Sequence, residues 1–147
     1  MESLSYRIGP DARYGGTDIT ISLTPEESAA IGSADIATLT DWFDTALWAL
    51  AAMRTGRSYR GPETSRQIGA GDAYDMITGL DHRLLPRLQA IRDAAIRRHE
   101  ELGGTVQELA TAMDVGRSTA QYRRVVLRDN PAAFDGWATT PVVHGER

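Results

Sequence analysis

Alternation between polar and apolar residues marks the start of the chain. Residues 17–23 alternate with a period of two and are rich in β-branched side chains, which is typical of a strand buried on one face. Leu4, Tyr6 and Ile8 show the same alternation before a Gly-Pro break. The two segments predict a β-hairpin. Because two strands alone are only marginally stable, we expect a helix or a second subunit to cover or extend them.

Helical signals begin at Thr24. This threonine is followed by Pro25 and, three residues after it, by Glu27, which predicts a capped helix start, and Gly32 predicts the end of that helix. Ser33 opens a second predicted helix with a wide apolar face. A helix of this kind needs two neighbours, so it is either a core helix or a subunit interface. Its apolar positions are Ile36, Leu39, Trp42, Phe43, Ala46, Leu47, Ala49, Leu50 and Met53.

The middle of the chain predicts a loop and then a long helix. Residues 55–72 are Gly-rich, polar and dotted with arginine, which indicates a loop or linker. A short apolar piece follows at 74–77. A long helix is then predicted from residue 81 or 85 to residue 102, where Gly103-Gly104 ends it.

Two more helices are predicted after this pair of glycines. Thr105 and Glu108 have the spacing of a capping box and mark the start of the first helix. We expect Ala110 to stand where two helices cross closely. Asp114-Val115-Gly116 predicts a tight corner, and the second helix begins at Arg117.

The pattern of this segment resembles the helix-turn-helix of bacterial transcriptional regulators. The resemblance covers about 24 residues, 105–128, and about 48 if the preceding helix is the first of a tri-helical unit. It implies that the second helix enters the major groove of DNA by its N-terminal half. The residues that carry it are Leu109-Ala110, Met113, Val115-Gly116 and Arg117-Ser118-Thr119.

Two positions depart from the pattern of that family. Asp114 stands where the family usually has glycine in a positive-φ conformation, which aspartate tolerates better than most residues. Arg123 stands where an apolar residue normally packs, so we expect its methylene stem to lie along the core edge with the guanidinium outside.

The second helix also carries a pattern of its own. Arg117, Gln121, Arg124 and Arg128 share one stripe, and no acidic residue occurs from 117 to 128. Arginine forks suit guanine and a glutamine amide suits adenine, whereas an ordinary solvated helix face, the alternative interpretation, usually mixes charges. By analogy with the family we assign base contacts to Arg117, Ser118, Gln121 and Tyr122, and phosphate contacts to Gln107, Thr119, Arg124 and Arg128.

Charge is distributed unevenly along the chain. The formal net charge of the 147 residues is -4, and all sixteen basic residues are arginine, a bias typical of GC-rich genomes. Residues 1–80 have six arginines and eleven acids, residues 81–128 nine and six, and residues 129–147 one and three. Positive charge therefore concentrates in the segment that resembles a DNA-binding unit.

Catalytic and metal-binding patterns are weak. The chain has no cysteine, which excludes disulfides, cysteine-ligated zinc and thiol catalysis. His82, His99 and His144 are widely spaced, and the Gly69-Ala70-Gly71 segment lacks the third glycine of a phosphate-binding loop. We therefore expect no enzyme, no metal site and no cofactor.

The C-terminal tail is short. Asn130-Pro131 predicts the end of the last helix, and no strand pair is predicted after it, so we do not expect a winged variant. Phe134 and Trp137 are expected to fold back on the helical core, or else to anchor a partner subunit.

These signals predict a mainly α fold: a C-terminal tri-helical helix-turn-helix unit with a small N-terminal α+β region that contains a β-hairpin. We expect residues 1–78 to form the hairpin, helices and a candidate dimerisation region, residues 79–128 the DNA-binding domain, and residues 129–147 a tail. No basic start with an apolar run is found, and the longest apolar stretch, 46–53, is too short to cross a bilayer. We therefore expect a cytoplasmic protein without a membrane partner.

The expected function is sequence-specific regulation of transcription by a homodimer that binds double-stranded DNA. The alternative is a helix-turn-helix adaptor, or an accessory protein of replication, partition or recombination, that does not regulate transcription.

Overall fold

A β-hairpin followed by a series of helices forms the chain, and the computed structural model describes residues 2–61, 65–130 and 134–142. The prediction of a mainly helical protein with an N-terminal hairpin is confirmed. The elements are β1 (Leu4–Ile8), a 3-10 turn (Gly9–Asp11), β2 (Thr17–Ile21), α1 (Pro25–Ile31), α2 (Ser33–Thr55), β3 (Arg57–Ser58), β4 (Arg66–Gln67), α3 (Ala70–Ile77), a π-helical segment (Thr78–Leu84), α4 (Leu85–Glu101), α5 (Val106–Met113), α6 (Arg117–Asp129) and α7 (Asp135–Thr139).

Two compact units divide the chain: residues 1–37 with 141–147, and residues 38–140. The domain boundary predicted near residue 78 therefore lies inside the second unit. No helix in the described ranges is both long enough and apolar enough to span a bilayer.

The first unit contains the hairpin and α1. β1 and β2 are antiparallel, with Leu4 opposite Ile21 and Tyr6 opposite Ile19, so these apolar side chains share one face. All four side chains are exposed, and the hairpin therefore presents an apolar surface. α1 begins with the predicted capping box, in which the Glu27 N–H donates to Thr24 Oγ1 at 3.1 Å.

The second unit packs the small residues of α2 against α3. Ala49 and Ala52 are buried with Met76 in one apolar cluster, and Trp48 Nε1 donates a 3.0 Å hydrogen bond to Ser58 Oγ beside it. The prediction of a loop or linker over 55–72 was wrong in part, because β3 and β4 pair there and α3 already begins at Ala70.

α3 caps its own start through an acidic residue. The Asp72 carboxylate accepts a hydrogen bond from the Gly69 N–H at 2.9 Å and two more from the Arg66 guanidinium. The Arg66 guanidinium, and after it the Gly69 N–H, hold the pKa of Asp72 far below its usual range. The short apolar piece predicted at 74–77 is therefore part of a capped helix.

A continuous helical run from Ala70 to Glu101 replaces the helix predicted to start at residue 81 or 85. Its middle, Thr78–Leu84, is π-helical and ends two residues before Pro86. Proline lacks an N–H and crowds the preceding turn of an α-helix, which the wider π-helical turn relieves. Gly79 lies against Thr45 of α2, where an added Cβ would stand 3.0 Å from Thr45 Cγ2.

The aromatic residues of the tail pack on α4, in agreement with the expectation that they fold back on the helical core. The Arg87 guanidinium carbon lies 4.4 Å from the centre of the Phe134 ring and 5.9 Å from that of Trp137, with Trp42 of α2 at 4.5 Å. Asp135 at the start of α7 forms an ion pair with Arg97 of α4. Pro131 and His144, both named in the sequence analysis, lie outside the described residues.

Candidate nucleic-acid interface

A three-residue corner, residues 114–116, joins α5 and α6. Local hydrogen bonds fix the start of α5. Thr105 Oγ1 accepts from the Glu108 N–H at 3.1 Å, and the Glu108 carboxylate accepts from the Thr105 N–H at 2.8 Å, which confirms the predicted capping box. The Thr105 N–H, and then its hydroxyl, lower the pKa of Glu108. The start of α5 is thus held by an ionised carboxylate.

Asp114 adopts the left-handed conformation predicted for it, with φ 53° and ψ 50°. It is the one non-glycine residue with a positive φ in the ranges that the structure describes. The Val115 N–H donates to the Ala110 carbonyl oxygen at 3.0 Å across the corner. The chain therefore turns without glycine, because an aspartate side chain tolerates this region of φ and ψ.

The core between α4, α5 and α6 fixes the orientation of α6. Ile96, Leu109, Ala110, Ala120 and Leu127 form one buried cluster. Ala110 is 2% exposed and Ala120 is completely buried, so α5 and α6 approach closely there, as expected for Ala110. Because Ala120 and Leu127 point inward, the residues on the opposite side of α6 point to solvent.

Five exposed residues among the first nine positions of α6 form one surface, the outer face of α6. Tyr122 is 70% exposed and Val125 is 43% exposed. No acidic residue lies on this part of the helix. The five residues are Arg117, Ser118, Gln121, Tyr122 and Val125, at positions i, i+1, i+4, i+5 and i+8 of one helical surface.

Arg117 is available at the start of α6. Its side chain is exposed and makes no ion pair within the described ranges. The N-cap residue Gly116 has no side chain that could cap the first turn. The N–H groups of that turn and the helix dipole therefore add to the positive potential around Arg117.

Arg124 does not belong to the exposed stripe, and its predicted phosphate contact is corrected here. It is only 7% exposed, its Nη2 donates a 2.6 Å hydrogen bond to the Gly104 carbonyl oxygen, and its Nη1 lies 4.0 Å from Glu100 Oε1. The reason is its position on the helix: Arg124 lies about 40° around the axis from the buried Ala120, against about 100° for Gln121. Its guanidinium therefore serves the packing of the three helices, which argues against the predicted phosphate contact.

Arg128 is half-exposed and already has a partner. Its Nη2 donates to Glu100 Oε1 of α4, so two arginines of α6 share one carboxylate. The hydrogen bond from Arg128 is the main reason why the pKa of Glu100 is lowered. A phosphate contact by Arg128 stays a prediction, and it would compete with this pair.

The other predicted phosphate contacts are exposed. Gln107 lies in the first turn of α5, and Thr119 lies on α6, far around the helix from Gln121. Of the eight predicted residues, four therefore lie on one surface: Arg117, Ser118, Gln121 and Tyr122. Gln107 and Thr119 are exposed outside that surface. Arg128 pairs with Glu100, and Arg124 is buried.

Sequence reasoning missed one residue of this region. Glu100 pairs with arginines 24 and 28 positions later in the chain, which no local pattern indicates. Arg123, expected at the core edge, is half-buried and makes no ion pair in the described ranges, so its charge remains available beside α6.

Comparison of this chain with protein-family models, with curated proteins and with solved structures found no match.

Proposed function

We propose that this chain binds double-stranded DNA sequence-specifically through a helix-turn-helix formed by α5 and α6, and that it regulates transcription. The observation that carries the proposal is the outer face of α6: an exposed, acid-free surface with Arg117 unpaired and Gln121 one turn away. The left-handed corner at Asp114 and the buried Ala110 and Ala120 support it, because they give the two helices the short connection and close approach of that motif.

In this proposal the N-terminal half of α6 lies in the major groove. Arg117 donates to guanine O6 and N7, and Gln121 bonds adenine N6 and N7. Ser118 and Tyr122 meet neighbouring bases. Gln107 and Thr119, with the N–H groups of the first turn of α6, contact phosphates on either side of the groove.

The proposal also includes a homodimer. A single helix-turn-helix buries too little surface for tight specific binding, so two copies are needed to bind two half-sites about one helical turn apart.

The outer face also favours a second candidate. Tyr122 and Val125 are apolar and exposed there, which would suit an adaptor that docks a protein on α6 instead of DNA. Such a protein would not need Arg117 and Gln121 to distinguish bases.

Selection from a random double-stranded DNA library with the purified full chain, at about 0.15 M salt, separates the two candidates. The proposal predicts enrichment of a palindrome, and loss of that enrichment in the Arg117→Ala/Gln121→Ala double variant. Arg98→Ala is the matched control, because Arg98 is an exposed arginine of α4 whose loss changes the net charge away from α6. No enrichment by the wild-type chain would refute sequence-specific binding.

A further inference from the structure

The large apolar side chains of α2 lie on the outside of the helix. Phe43, Leu47, Leu50 and Met53 are between 43% and 61% exposed. The side that packs on α3 is lined by Ala49 and Ala52, with Trp48 packed beside them. A helix that leaves four large apolar side chains in solvent on another side has a second surface suited to a contact.

The spacing of these residues is that of a coiled-coil seam. Leu39, Phe43, Ala46, Leu50 and Met53 follow one another by four, three, four and three residues, as the a and d positions of a heptad do. The seam rises about 21 Å along the helix. It therefore offers several layers of contact to a second helix.

A second copy of α2 matches this seam when it runs antiparallel. A two-fold axis between residues 44 and 45 places Phe43 opposite Ala46 and Leu39 opposite Leu50 of the other copy, so that each layer has similar volume. Parallel pairing would instead put Phe43 against Phe43 and Ala46 against Ala46, with one layer crowded and the next empty.

We propose that a second copy of this chain docks on the exposed face of α2, antiparallel, with Phe43 packed against the partner's Ala46. This names the dimer surface that the proposed function requires, and since its tests use no DNA, the two proposals fail separately.

The first experiment measures association by sedimentation equilibrium of the full chain, without DNA. The wild type is expected to be a dimer at micromolar concentration, and Leu50→Glu is expected to weaken the dimer about 100-fold or more, because each dimer contains two copies of Leu50. Leu102→Glu, the same substitution at a 72% exposed leucine after the end of α4, is the control and should not change association. Circular dichroism melting checks that each variant is folded.

The second experiment uses the absence of native cysteine to determine the direction of pairing. Leu39→Cys and Leu50→Cys proteins are oxidised separately and after mixing. In the antiparallel pair only the mixture forms a covalent dimer, since residue 39 lies opposite residue 50, while two copies of residue 39 are about 16 Å apart, beyond the reach of a disulfide.

Each result decides the proposal. A dimer that Leu50→Glu dissociates, together with cross-linking of the mixture alone, supports it. A monomeric wild type, a dimer that tolerates Leu50→Glu, or efficient cross-linking of Leu39→Cys by itself overturns it.

Discussion

The Arg124 guanidinium donates a 2.6 Å hydrogen bond to the carbonyl oxygen of Gly104, twenty residues earlier in the chain. Gly104 directly precedes the cap of α5 and lies so close to the His99 ring that an added Cβ would collide with it. The buried arginine therefore joins the end of α4 and the start of α5 to α6. This link sets the direction in which the outer face of α6 points.

Arg124→Ala is expected to lower the free energy of unfolding by about 2–4 kcal/mol, because it removes a charged hydrogen bond and a buried side-chain stem. Urea denaturation measures the change. Arg98→Ala, which breaks the exposed pair with Glu101, should cost less than about 1 kcal/mol. If the two variants are equally stable, the buried arginine does not hold the three helices together.

Substitutions at Asp114 test the left-handed corner. Asp114→Val should destabilise the protein by about 1–2 kcal/mol, because a β-branched side chain is disfavoured at φ 53°, whereas Asp114→Gly should be close to neutral. Thermal melting of both variants gives the comparison. Equal stability of the two variants would contradict the described conformation.

Acid should lower the free energy of unfolding, because Glu100 pairs α4 with α6 and Glu108 caps the start of α5. Both carboxyl groups have a pKa below the ordinary 4.5 in the folded chain, Glu100 mainly because Arg128 donates to it and Glu108 mainly because the Thr105 N–H does. The unfolded chain takes up these protons more readily, so the stabilisation is complete above the ordinary value and is lost as the pH falls through the lower folded-state values.

Urea denaturation between pH 3 and pH 7 measures this dependence. Glu100→Gln and Glu108→Gln are each expected to make the decline below about pH 4.5 shallower than in the wild type. Glu101→Gln, on the exposed side of α4, is the matched control. An unchanged pH profile in both test variants would show that neither carboxylate is stabilised in the fold.

Base contacts by the outer face of α6 predict a selective loss of affinity. Arg117→Ala and Gln121→Ala should each weaken binding to the selected DNA by about 1–3 kcal/mol and leave binding to unrelated DNA nearly unchanged. Fluorescence anisotropy at fixed salt compares the two DNAs. Equal losses on both DNAs would mean that these side chains do not distinguish bases.

Short-range signals in the sequence predicted much of this local structure. The capping boxes at Thr24 and Thr105 each involve residues within four positions, and the corner at Asp114 follows from the conformational tolerance of aspartate, so both are visible in the sequence. The inward turn of Arg124 was not predictable, because it depends on Gly104 and Glu100, which only the packing of α4 against α6 brings near.

Methylation interference on the selected DNA tests the central claim, that α6 places its outer face in the major groove, most directly. Guanine N7 lies in that groove and adenine N3 in the minor groove. We expect N7 methylation within each half-site to prevent binding of the wild-type chain, and Arg117→Ala to become insensitive to methylation at one of those guanines. Interference restricted to adenine N3, or the same guanine pattern in wild type and Arg117→Ala, would contradict the account.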